Sequence, residues 1–204
     1  MSLREQQRLL AMAGLTLLPF ALLAAWARFY SPATWEPAVL FALAIGSDPW
    51  GDAVRLVNLV GSLQVWAVVV GASAMAVGIR RGVAAGALIA LSFAADLAAF
   101  AVKVVVERER PETAATEHFF GPDSFAFPSG HVVRAVAFVA VMVWLLAPAG
   151  VRLRLAIASA VVAGLVMGYA RVALGVHWPT DALGGILLGV GWFGVTAALV
   201  RRAA

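Results

Sequence analysis

Along most of this chain apolar residues neither alternate with polar ones nor recur on one helical face. They run on for about 20 residues at a time, the length that crosses the hydrocarbon core of a bilayer as a helix. Six such windows are present: Leu9–Phe29, Leu56–Ile79, Val83–Val106, His131–Ala147, Leu153–Leu174 and Asp181–Val200. A shorter apolar run, Pro37–Ile45, lies between Trp35 and Trp50 and reads as an interfacial segment. Gly164–Gly168 and Gly185–Gly189 have the small-residue spacing that lets helices approach closely in lipid. The first window follows Arg4 and Arg8 and contains Ala25-Trp26-Ala27, as a signal peptide would, but its apolar run is longer than such segments carry. It reads as a retained span. The pattern predicts an all-α polytopic membrane protein, six transmembrane helices in one bundle with short loops, and a single domain over 1–204.

Composition supports this. Of 204 residues, 63% are hydrophobic and 13% charged, against roughly 45–50% and 25% in soluble domains. A water-soluble enzyme and a disordered chain are excluded. The net charge of +4 forms no basic stripe, so nucleic acid is not an expected partner. With no cysteine, thiol catalysis and cysteine-ligated metals are excluded. Paired basic residues set the orientation: Arg4/Arg8, Arg80/Arg81, Arg152/Arg154 and Arg201/Arg202 sit at short loops or termini, almost without acids. The opposite side carries most of the acids, including Glu36, Asp48, Asp52, Glu107, Glu109, Glu112, Glu117, Asp123 and Asp181. The positive-inside rule then puts both termini in the cytoplasm and the longer loops, about 31–55 and 107–130, outside.

Ionisable residues are costly in such a chain and mark function. Three strings hold them: Lys103 to Pro111, Pro128-Ser129-Gly130-His131, and Arg171 to Asp181. Windows drawn from hydropathy alone put all three at the outer face. Lys103 and Arg110 are seven residues apart, about 10 Å if the helix continues, and would share one face. Ser129 is a good N-cap for a helix opening at Gly130, whose free N–H groups and dipole favour an anion. His131 lies in that first turn. Pro179 suits the first turn of the last helix. Asp181, four residues after His177, can accept from one imidazole nitrogen and leave the other outward. Three cations, a helix N-terminus and two histidines suit phosphoryl transfer without a metal: the cations neutralise phosphate oxygens, one histidine attacks phosphorus and the other protonates the leaving oxygen. A divalent metal site would need more acids than Asp181, so no metal and no cofactor is expected.

The three strings resemble the signature of the type-2 phosphatidic acid phosphatases, the lipid phosphate phosphatases: K-x6-R-P, P-S-G-H and S-R-x5-H-x3-D. The strict signature covers 103–181, and the six-span layout extends the resemblance over most of the chain. It implies that His177 is the nucleophile and forms a phosphohistidine, that Asp181 orients it and that His131 is the general acid. Lys103, Arg110 and Arg171, with Ser129 and the Gly130 amide, would hold the phosphate. One position departs: Ala170 stands where the family usually has Ser, which removes one possible hydrogen bond to phosphate. The implied partners are a lipid phosphate substrate and membrane lipids, with the active site on the outer face of the cell membrane. Among the family's substrates the expectation is undecaprenyl diphosphate, in recycling of the cell-wall carrier. The alternatives are phosphatidylglycerophosphate, phosphatidic acid, and transfer of the phosphate to another lipid.

Blander readings apply elsewhere. His118 is a solvated loop residue, and Glu107, Glu109 and Glu112 form a solvated rim. Asp96, near mid-membrane, either pairs with Arg134 or links to Lys103. Phe119, Phe120, Phe125 and Phe127 either anchor the loop at headgroup level or wall a lipid entrance. Ser73 in a Gly-Ala-Ser-Ala run would suit an intramembrane protease, but lies in the inner half of its span, away from both histidines. A transporter would show broken helices with polar residues at mid-depth, where the sequence offers only Asp96, Asn58 and small hydroxyls.

Overall fold

The computed structural model describes residues 2–30, 32–46, 49–113 and 124–200. Among them the chain forms nine α-helices: α1 (Leu3–Phe29), α2 (Glu36–Leu43), α3 (Pro49–Val60), α4 (Leu63–Arg81), α5 (Val83–Phe93), α6 (Ala95–Val106), α7 (Gly130–Leu146), α8 (Arg152–Ala173) and α9 (Pro179–Leu199). Five stretches are long and apolar enough to cross a membrane: α1, α4, α5 with α6, α8 and α9. The remaining expected span, α7, is apolar but has 17 residues, about 25 Å. Large apolar side chains such as Leu15, Ile79, Val83 and Val162 point outward from the bundle, which water would penalise and lipid does not.

Helix α7 is the centre. It packs on α8, α9, α5 and α6, while α1 lies along α9 and α4 along α5. Glycine allows the closest of these approaches. A Cβ on Gly185 or Gly189 of α9 would stand 2.7 Å from Val132 or Val136 of α7, and one on Gly164 of α8 would stand 2.5 Å from Ile186. Without an aqueous hydrophobic effect between helices, such contact is what van der Waals attraction needs.

The helices differ from the predicted windows in three places. The window from Leu56 is not one span: the helix breaks at Gly61-Ser62, because 49–60 is amphipathic, with Asp52 and Arg55 paired 3.0 Å apart on its exposed side. The third span is interrupted at Ala94, so Asp96 lies in the first turn of α6. The helix carrying Lys103 does not continue to Arg110. It stops at Val106, and Glu107 takes a left-handed φ of 49° with its N–H on the Lys103 carbonyl. The aromatic group divides as well. Phe127 is neither a headgroup anchor nor an entrance wall, since it is fully buried and stacks on Phe20 with ring centroids 5.7 Å apart. Phe119, Phe120 and His118 lie outside the described residues.

The two ends of the bundle are unlike. At the C-terminal end of α7, Arg81 donates to the Leu145 carbonyl and Arg152 binds Glu5 while lying 4.2 Å from the Trp144 ring centre. The three ionisable strings gather at the other end.

Candidate active site

Backbone hydrogen bonds knit the strings together. Past the left-handed Glu107 the chain turns across the bundle, and the Arg108 carbonyl accepts from Ala126 N–H at 2.7 Å. Ser129 N–H donates to the Asp181 carbonyl at 3.1 Å, fixing the start of α7 against the first turn of α9. Lys103 Nζ reaches the Phe125 carbonyl at 2.5 Å, and Arg110 Nη1 reaches the Val176 carbonyl at 2.6 Å. Gly175 permits the turn before His177: its φ is +70°, and a Cβ there would stand 2.7 Å from Thr113 Oγ1.

His177 is buried and held from both sides. Its Nδ1 faces Asp181 Oδ2 at 3.2 Å, and its Nε2 faces Arg110 Nη1 at 3.1 Å. Arginine only donates, so Nε2 carries the lone pair and Nδ1 carries the proton that Asp181 accepts. Burial first, then Arg110, Arg171, Lys103 and His131, push the His177 imidazole well below its ordinary 6.5. The ring is therefore neutral at neutral pH, with a lone pair directed at the cations.

Asp181 is fixed by more than His177. Its Oδ2 accepts Trp178 N–H at 2.8 Å, closing the first turn of α9. Its Oδ1 receives Arg108 Nη1 at 2.5 Å. Arg108 Nη2 bonds Glu36 Oε2 at 2.7 Å, and Glu36 Oε1 accepts both N–H and Oγ1 of Thr180, at 3.1 and 2.6 Å. Glu36, Arg108 and Asp181 are all buried, and the Arg108 guanidinium lies between the indoles of Trp26 and Trp178.

The opposite wall is α7. Ser129 occupies the N-cap position but makes no capping bond, and its buried Oγ has no hydrogen-bond partner among the described residues. Such an orphaned hydroxyl fits an anion that completes it. Arg171 Nη1 donates to Asn58 Oδ1, so α3 braces this cation. His131 faces Arg171, Arg110 and Lys103 and packs against Gly61, where a Cβ would stand 2.8 Å from its Cδ2. Asp96 does pair with Arg134, at 3.1 Å.

The eight residues marked by sequence are thus brought to one end of α7, in a nest where three cations and two histidines converge. Residues 81–204, more than half of the chain, match the PAP2 superfamily. The chain belongs to that superfamily. A PAP2 relative, phosphatidylglycerophosphatase B of Bacillus subtilis (strain 168), is 36% identical over 110 residues. The match covers 52% of this chain and 53% of the relative, so it spans about half of that protein's length. Over the whole fold the chain is similar to the crystal structure of a transmembrane PAP2-type phosphatidylglycerolphosphate phosphatase from Bacillus subtilis. The TM-score is 0.75 at 28% identity, covering 94% of this chain and 98% of that one. With its apolar helices, this makes the chain a multi-pass membrane protein.

Sequence reasoning missed Glu36, Arg108 and Asn58 as parts of this PAP2 site. Arg108 carried a signal: it stands between two acids where α6 ends, at a position that could turn inward only if carboxylates awaited it. Glu36 carried almost none: apart from the local Ala33 N–H, its partners Arg108 and Thr180 are 72 and 144 residues away in the chain. Glu107, Glu109 and Glu112 are exposed as expected, Glu107 pairing with Arg28 at 3.0 Å.

Proposed function

We propose that this protein is a lipid phosphate phosphatase that removes the terminal phosphate of phosphatidylglycerophosphate through a phosphohistidine. The observation that carries the reading is the His177 geometry: a neutral imidazole with Asp181 on Nδ1 and its Nε2 lone pair facing Arg110. In the first step Nε2 attacks phosphorus, the bond from phosphorus to the lipid oxygen breaks, and that oxygen takes a proton from His131. Asp181 accepts the Nδ1–H bond and stabilises the positive charge that grows on the ring. In the second step water attacks phosphorus, the P–N bond breaks, and His131 recovers a proton from the water. Lys103, Arg110, Arg171, Ser129 Oγ and the Gly130 amide hold the three non-bridging oxygens. Lys103, Arg110 and Arg171 supply positive charge for the phosphate oxygens that a divalent ion would otherwise supply, and the reaction proposed is therefore metal-independent.

The substrate rests on the relatives. Both are named for phosphatidylglycerophosphate, which favours that lipid over undecaprenyl diphosphate, the first expectation from sequence. Small-molecule sites are typically clefts of about 300–1,000 Å³, and one such cleft lies beside Arg110. That cleft, about 680 Å³, is lined by both apolar side chains, among them Leu40 and Phe41, and charged or polar ones, among them Glu109, Arg110 and Trp178. It suits a substrate with an apolar tail and a charged head.

The test is phosphate release in detergent from phosphatidylglycerophosphate, phosphatidic acid and undecaprenyl diphosphate, each with and without EDTA. The highest kcat/KM should be for phosphatidylglycerophosphate, unchanged by chelator. A preference of tenfold or more, roughly 1.4 kcal/mol, for the diphosphate would restore the other reading. Loss of activity with EDTA and its return with magnesium would end the three-cation account.

The membrane arrangement belongs to the same proposal: one domain over 1–204, α7 as a sixth span, both termini in the cytoplasm and the site on the outer face. Its support is Arg80/Arg81 and Arg152/Arg154, at the end away from the site. In this cysteine-free chain, Ala149→Cys should resist an impermeant thiol reagent in intact cells and Glu112→Cys should react. The reverse pattern would invert the topology.

A further inference from the structure

His131 differs from His177 in what stands behind it. Its Nδ1 faces Arg134 Nη2 at 3.2 Å, one helical turn along α7. The other end of that guanidinium, Nη1, is held by Asp96 Oδ1 at 3.1 Å. Arg134 Nε has no acceptor among the described residues, so these two contacts orient the side chain. Arg134 is nearly buried, with its side chain 9% exposed. A guanidinium cannot accept a hydrogen bond and does not lose its proton. The Nδ1 of His131 must therefore carry the lone pair, and its single ring proton sits on Nε2.

We propose that Asp96 and Arg134 are positioning residues, which fix His131 with its proton on Nε2 and strengthen that N–H as a donor to the leaving oxygen. The proposal rests on the reading of His131 as the proton donor of a phosphatase. A neutral imidazole N–H is by itself a weak acid. A cation hydrogen-bonded to the opposite nitrogen withdraws charge through the ring, as a second proton would, without the ring being protonated outright. That serves a site already crowded with positive charge. The groups facing His131 are Arg134 on its own helix, Lys103 from α6, Arg110 and His177 from the loops, and Arg171 from α8. The break before α6 contributes too, since it sets Asp96 in a first helical turn, where the backbone N–H groups favour a carboxylate. Asp96 Oδ1 lies 3.6 Å from where a Gly130 Cβ would stand, so the pair braces the start of α7 directly. Gly61 lies on the ring's Cδ2 side, where a Cβ would stand 2.8 Å away, so glycine there makes room for the imidazole in this position.

Two measurements decide it. The first is nitrogen-15 NMR of histidine-labelled wild-type protein in detergent, with the His131 signal assigned by His131→Gln. The expected result is a protonated Nε2 and a lone pair on Nδ1. A proton on Nδ1 overturns the proposal whatever the variants do. The second compares phosphatidylglycerophosphate, whose alkoxide leaves poorly, with p-nitrophenyl phosphate, whose phenolate needs no proton. Arg134→Met should lower kcat on the lipid by about 10–100-fold, inside the range for a general acid, and leave KM nearly unchanged. Its loss on the aryl ester should be several-fold smaller. Asp96→Asn should show the same split more weakly, and Arg134→Lys, which can still donate to Nδ1, should restore part of the lipid rate. Equal losses on both esters would show a merely structural pair and overturn the proposal. If wild-type protein releases phosphate from neither ester, the phosphatase reading fails, and the NMR result alone decides the tautomer.

Discussion

Two histidines stand in one nest of cations, and their Nδ1 neighbours are of opposite sign. Behind His177 is a carboxylate, Asp181, at 3.2 Å; behind His131 is a guanidinium, Arg134, at the same distance. An acceptor at Nδ1 leaves a lone pair on Nε2, and a donor at Nδ1 leaves a proton there. In the proposed mechanism one ring is thereby prepared to attack and the other to donate, with no difference in residue type. On that reading, role is assigned one contact behind the reacting atom. The largest predicted effect breaks the pair apart. His177→Ala should remove the phosphoenzyme and lower turnover by about 10⁴-fold or more, as loss of a nucleophile does. His131→Ala should keep the phosphoenzyme and lose about 10²–10⁴-fold on a lipid monoester. Rapid quench with acid-labile phosphate counting separates the two, and a phosphoenzyme surviving in His177→Ala would exchange the roles.

The pH profile sharpens the same contrast. His177 is held well below 6.5 by burial, Arg110, Arg171, Lys103 and His131. A depressed imidazole stays neutral as pH falls through 6.5, so the nucleophile is lost only at more acid pH. The acid limb of kcat/KM on phosphatidylglycerophosphate should accordingly lie well below 6.5. A limb at 6.5 or above would mean that the cations do not act on this ring in the free protein.

Next in size is the support for Asp181. Arg108 joins two buried carboxylates, and its removal leaves both uncompensated. Such a deletion typically costs about 3–5 kcal/mol. Arg108→Met should therefore lower the unfolding temperature in detergent as well as kcat. Glu36→Gln keeps an acceptor for Thr180 and should cost less stability, yet it still loosens Arg108 and so the carboxylate behind His177. If Glu36→Gln lowered turnover on lipid and aryl esters unequally, Glu36 would belong with His131 rather than with His177.

How far the sequence reached follows from the same residues. Long apolar runs made the helices legible, since lipid requires nothing subtler than length. His177 and Asp181 were legible because four residues fix their geometry within one short segment. The break at Gly61 was hidden by apolar residues on both sides of it, and the end of α6 at Val106 by a run of valines that reads as continuing helix. Arg108 and Glu36 were hidden for another reason: each looks like a rim charge until the chain turns at Glu107, and that turn is set by tertiary contacts with α9. Arg134 was legible as a partner for Asp96, but its second contact, on His131, needed the rotamers.

The smallest effect concerns Ala170, which stands where the family usually carries serine. It is buried on α8 beside Arg171 and packs with Val54 and Ala173. A serine there adds one hydroxyl next to Arg171, where it can donate to phosphate or return to the carbonyl one turn back, so it is not stranded. One such hydrogen bond is worth about 0.5–1.5 kcal/mol, or about 2- to 10-fold in affinity. Because the phosphate is present both in the substrate and in the transition state, the bond forms in both, and the gain belongs to KM. Ala170→Ser should lower KM for phosphatidylglycerophosphate within that range and change kcat little. The same factor should appear in an His131→Ala background, since binding of phosphate is shared by both steps and both histidines. A gain in kcat that vanishes with His131 would show instead that the added hydroxyl acts on the proton donor, and that the two histidine environments are less separate than their neighbours at Nδ1 make them.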